Sequence, residues 1–158
     1  MASRPSCAAG AVAALLHRGG VQCRTVERGE FLALMIEKLL WASIYWLLSA
    51  GLGGLPVGAV AQQHGDAAAE LAGELLPLAQ RYVLASGRRQ GLGDLEQVEA
   101  LTAEQAAASM AAYSLSISAA VPSREMALAE FAWRNGWFLS QQRTPAHVAW
   151  LERARVEA

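Results

Sequence analysis

Residues 39–61 form an apolar block of twenty-three positions without a charge, bounded by Lys38 on one side and by Gln62, Gln63, His64 and Asp66 on the other. The residues leading into it, 30–50, read EFLALMIEKLLWASIYWLLSA and place apolar side chains all round a helical wheel. Such a helix is either surrounded by other helices in a bundle or surrounded by lipid. Gly51, Gly53, Gly54 and Pro56 predict that it ends or kinks there, because glycine loses the most backbone entropy on ordering and proline lacks an amide donor.

Both environments lead to definite expectations. As an export signal, Met35 to Lys38 would be a short n-region, residues 39–55 the apolar h-region and Pro56 a breaker. Ala59 and Ala61 would then be the small residues of a cleavage region. Left uncleaved, twenty-three helical residues reach about 34 Å, enough for a hydrocarbon core of about 30 Å, with the N-terminus on the cytoplasmic side. In a soluble bundle, residues 31–50 become the central helix. Trp41 and Trp46 should then be buried against Leu71, Leu75, Leu78 and the helix predicted at 105–120.

Downstream, the pattern predicts a run of helices. Leu71, Leu75, Leu78 and Tyr82 share one face of a helix over 66–86, with Asp66 as its cap and Pro77 as a kink or division. Gly87 to Gly93 reads as a loop, and a short helix at 94–101 follows. Thr102 and Gln105 fit a capping box opening a helix to about residue 120. Its small residues recur four apart at Ala107/Ala111, Ala108/Ala112 and Ser114/Ser118, so a neighbour can approach closely. This uncharged stretch is also long enough for a weakly apolar second span, although a packed core helix suits its alanines and serines better.

Ser123 caps the next expected helix, residues 124–142. There Trp133 and Trp137 share one face, and Phe131 and Phe138 another. Thr144-Pro145 begins the last helix, with Val148 and Leu151 inward and Glu152, Arg153, Arg155 and Glu157 at a solvated end. No alternating strand pattern persists over six residues. The expected fold is therefore all-α, a small bundle of about four to five helices: an N-terminal extension over 1–30, an apolar helix and Gly/Pro break over 31–61, and a helical part over 62–158.

Composition adds three points. Hydrophobic residues make up 54% and charged residues only 17% of the 158, a balance that leans toward burial or membrane. Five basic residues stand against three acids in residues 1–61, and eight against eleven in 62–158. The acidic C-terminal part lacks the basic face that nucleic-acid binding needs. The first thirty residues hold no acid before Glu27, as in transit peptides, though a poorly ordered extension is the simpler expectation. Both cysteines, Cys7 and Cys23, lie upstream of the apolar block, so no disulfide framework can exist beyond it.

Candidate chemistry is sparse. His17, His64 and His147 stand far apart and outside any zinc motif. Asp66, Glu70 and Glu74 are spaced by four, with His64 nearby, but a solvated helix edge explains that ladder better than a metal site. Arg88 and Arg89 in a Gly-rich loop lack the remainder of a P-loop. Ser109 and Ser140 have no nucleophile elbow. No catalytic, cofactor-binding or metal-ligating residues are assigned, and no cofactor is expected.

The functional expectation is a non-enzymatic interaction or assembly module, exported or membrane-tethered through residues 39–61, with a protein partner or self-association and no nucleic acid. The alternative is a cytoplasmic bundle acting as a regulator or adaptor. Trp133, Trp137, Phe138, Arg88 and Arg89 are the candidate partner surface.

Overall fold

The computed structural model describes residues 7–156, and among them nine α-helices and one 3₁₀ turn, with no strand. The helices are α1 (Cys7–Arg18), α2 (Arg28–Gly51), α3 (Val57–Gln63), α4 (Gly65–Arg89), α5 (Glu96–Ala100), α6 (Ala103–Ser116), α7 (Arg124–Ala129), α8 (Asn135–Gln141) and α9 (Pro145–Arg153). The all-α class expected from the sequence is the one observed. Arg4 and Glu157 lie outside the described residues, as does the side chain of Cys7.

The bundle is organised around the C-terminal half of α2. Ile36, Leu40, Ile44 and Leu48 face Leu71, Leu75 and Leu78 of α4, together with Val98, Met110 and Phe138. Trp46 and Leu47 face the other way, into a second cluster with Ala127, Leu151, Ala154 and Val156. Two clusters on opposite sides account for the apolar circumference: residues 42–49 are buried all round. Each cluster draws side chains both from α2 and from residues beyond 62. Trp46 lies in the second cluster and not against Leu71, Leu75 and Leu78. Trp41 does meet the small-residue helix, donating from Nε1 to Ser114 Oγ at 2.9 Å.

The break after α2 is local. Gly53 and Gly54 take positive φ of 80° and 89°, a region closed to most side chains. Gly54 then donates its amide to Ser49 O at 2.8 Å. Residues 39–61 are thus two helices joined by a turn, and the helix long and apolar enough to cross a membrane is Arg28–Gly51. The close approach expected of the small-residue helix occurs just past its end. A Cβ on Gly58 would lie 2.5 Å from Ser118 Cβ and 2.8 Å from Ser118 O. The first amides of α3 donate across this contact, Val57 to Ala120 O at 2.9 Å and Gly58 to Ser118 O at 3.1 Å.

Other expectations are refined. Asp66 makes no cap, because His64 occupies the N-cap position and Asp66 falls in the first turn of α4, where its charge suits the helix dipole. Pro77 does not divide α4. Pro77 and Gly73 are both exposed, so the Gly73 carbonyl freed by the missing amide faces water. The Thr102–Gln105 capping box forms with both bonds, and Ser123 accepts from the Met126 amide at 3.3 Å.

Residues 124–142 depart most from expectation. In place of one helix there are α7, the 3₁₀ turn Phe131–Trp133 and α8. At this break Asn135, 1% exposed, lies in the core, where its Nδ2 donates to Ser43 O at 3.3 Å and its Oδ1 meets His147 Nε2 at 2.8 Å. Trp133 and Trp137 are consequently not neighbours on one helical face. Phe138 enters the main core and Phe131 packs on the second cluster.

Candidate functional site

The N-terminal half of α2 differs from its buried half. Phe31, Leu34 and Met35 are 53%, 41% and 51% exposed, although Gly29 is buried against Asp94 and Gln97. A groove lies on each side of this stretch.

The first groove, about 310 Å³, runs between α2 and α4 and is lined by Leu32, Met35, Ile36, Leu39, Ala79, Tyr82, Val83, Trp133 and Trp137. Trp133 stands at its rim, 77% exposed, on the 3₁₀ turn closed by the Glu130–Arg134 ion pair. Trp137 forms its wall. It meets Tyr82 edge-on at 5.4 Å and Phe138 at 4.9 Å between ring centroids, so an aromatic chain runs from surface to core.

The second groove, about 380 Å³, lies between α2 and α6 and is lined by Leu34, Glu37, Lys38, Trp41, Ser109, Met110 and Tyr113. The Lys38 ammonium sits 4.1 Å from the Trp41 ring centroid and 5.1 Å from that of Tyr113, held by the negative faces of the rings. Glu37 accepts from Ser109 Oγ at 3.3 Å. Partial burial raises the Glu37 carboxyl above its usual value, and the Ser109 hydrogen bond opposes that rise.

The residues singled out by sequence are dispersed. Trp133 and Trp137 do converge, but on the first groove. Phe138 is fully buried, the turn before α8 having rotated it inward, and so is unavailable to a partner. Arg88 pairs with Glu99 at 2.7 Å, and Arg89 bonds Ser86 at 3.0 Å, both near the far end of α4. Ala59 and Ala61 lie within α3 on either side of buried Val60. Ser140 donates to the Trp137 carbonyl at 2.7 Å.

The acidic ladder also separates. Asp66 and Glu70 are exposed, whereas Glu74 turns toward α9. Its two oxygens accept from the Ala146 and His147 amides at 2.9 and 3.0 Å, capping that helix from outside. Among the described residues no group of three His, Cys, Asp or Glu is placed to hold a metal ion. The Glu37–Lys38–Trp41 cluster was missed by sequence reasoning. Its α2 members are adjacent in the chain, but Ser109 and Tyr113 become their neighbours only in the fold. Comparison with protein-family models, curated proteins and solved structures found no match to this chain.

Proposed function

We propose that the chain is a non-enzymatic helical interaction module whose partner surface is the apolar groove beside α2. The observation that carries this is Trp133, 77% exposed at the edge of a groove whose walls are apolar and aromatic. Exposed aromatic anchors beside apolar pockets dominate binding energy at protein interfaces. A groove between two helices suits the apolar face of a helix from a partner protein. Residues 40–49 act in this account as the core that holds the groove open.

Length and composition favour a second reading, in which residues 39–61 export or anchor the chain. Arg28–Gly51 is long and apolar enough to cross a membrane, a property shared by signal sequences and by core helices of soluble proteins. Half of its most apolar window is buried within the bundle, which supports the core role.

A photo-cross-linking amino acid at position 82, where Tyr82 lines the groove and is 51% exposed, tests it. The expected result is a discrete adduct with a protein partner that disappears when Met35→Glu is added, while the same probe at exposed Arg88 gives none. An adduct indifferent to Met35→Glu, or one formed only with a second copy of this chain, would overturn the proposal.

A further inference from the structure

We infer that the partner of the groove is an amphipathic helix with acidic residues along one edge of its apolar face, recognised by Arg81 and Arg89. This rests on the groove being a partner surface and adds the charge that selects the partner. A second hollow, about 500 Å³, adjoins the groove between α4 and the end of α8. Tyr82 lines both hollows, so a segment seated on its ring reaches both. Leu78, Arg81, Tyr82, Ala85 and Arg89 line the second hollow. They are spaced i, i+3, i+4, i+7 and i+11, a single stripe of α4. The groove supplies apolar and aromatic side chains, and the stripe adds two cations at its edge.

Among the described residues neither arginine makes an ion pair. Arg81 donates to the neutral Gln142 Oε1 at 3.4 Å, and Arg89 to the Ser86 hydroxyl at 3.0 Å. Both are exposed. The walls around them leave this charge uncompensated. Residues 75–93 and 131–151 hold five arginines and no acid, although residues 62–158 as a whole hold eleven acids against eight basic residues. Acids bordering these segments are turned to other partners: Glu74 to the Ala146 and His147 amides, Asp94 to the Gly29 amide and Glu130 to Arg134. Unpaired cations beside an apolar groove attract an anionic edge and repel a cationic one, and such rim charge sets specificity more than affinity. A concave groove between helices accepts a convex helix, whereas a bilayer presents a flat surface.

The test is fluorescence anisotropy of two labelled synthetic helical peptides titrated with the full chain. Both share one leucine face, and its edges carry glutamates in one peptide and lysines in the other. The glutamate peptide should bind at least about fivefold more tightly, and the preference should shrink as salt rises. Arg81→Glu/Arg89→Glu should reverse the preference, whereas Arg88→Glu, at the position paired with Glu99, should keep it. All three positions are exposed, so unaltered urea transitions are expected. Trp133→Ser should weaken both peptides alike. Equal binding of the two peptides, each weakened by Trp133→Ser, would overturn this inference while leaving the groove reading in place. Binding of neither peptide, an effect of Arg88→Glu equal to that of the double variant, or displacement of the glutamate peptide by phosphatidylglycerol vesicles would overturn it too, and cross-linking from position 82 judges the groove separately.

Discussion

His147 is the most enclosed titratable side chain of the C-terminal half, at 0% exposed. Asn135 Nδ2 donates to the Ser43 carbonyl, which leaves its Oδ1 to accept from His147 Nε2. The imidazole is therefore the Nε2–H tautomer, and its Nδ1 has no hydrogen-bond partner among the described residues. Burial lowers its pKa from the ordinary 6.5 to about 4, and the nearby Glu74 charge only partly opposes this. Between those pH values the unfolded chain takes a proton that the folded chain refuses, so stability falls as pH drops from 6.5 toward 4. The full effect is about 3 kcal/mol. Urea midpoints measured across that range should show the decline, and His147→Gln should flatten it. Burial alone would raise the Glu74 carboxyl, but the Ala146 and His147 amides donate to it and hold it below its ordinary 4.5. Its contribution is present above 4.5 and is lost as pH falls through the lowered value. Glu74→Ala should cost about 1–2 kcal/mol in urea denaturation, as loss of a helix cap does.

At the scale of elements, two glycines make opposite predictions. Gly58→Ala places a methyl against the Ser118 backbone and should destabilise by about 1–3 kcal/mol. Gly73→Ala, with nothing within 4 Å of the new methyl, should stabilise by about 0.5–1 kcal/mol. Differential scanning calorimetry of the pair reads both signs. Helix ends were legible in the sequence where the signal is local: Thr102 with Gln105 and Ser123 cap with their side chains, Pro145 opens α9, and Gly53 and Gly54 take positive φ after α2. The division of residues 124–142 was not legible. Gly136 is the one glycine there, and two contacts absent from the local pattern meet at the turn: a Cβ on Gly136 would lie 2.8 Å from Phe131 O, and Asn135 reaches Ser43, ninety-two positions earlier. Pro77 was expected to kink or divide its helix, and α4 runs through it undivided.

At the scale of the whole molecule, part of the apolar block that dominates the sequence, residues 42–49, becomes the longest continuously buried run among the described residues. An apolar circumference is the same string of residues whether helices or lipids surround it, so the pattern alone could not decide between them. The grooves were illegible for a related reason. Their walls come from α2, α4, α6 and the turn before α8, and no spacing along the chain records that meeting. Trp133 and Trp137 attracted notice as a helical pair and do share the groove, although the helix assumed to join them is broken. The groove should respond to substitution without harm to the core: Trp133→Ser removes an exposed side chain and should leave the unfolding free energy in urea within about 0.5 kcal/mol of wild type while abolishing capture of the cross-linked partner.

The measurement that bears most directly on this account is hydrogen–deuterium exchange of the full chain in detergent-free buffer. Peptides covering residues 40–49 should be among the slowest in the molecule, exchanging only through global unfolding. Peptides from 7–18 should exchange early. Rapid exchange of 40–49 while α4 stays protected, or a chain recovered only in detergent, would contradict the central claim that this segment is the core of the bundle.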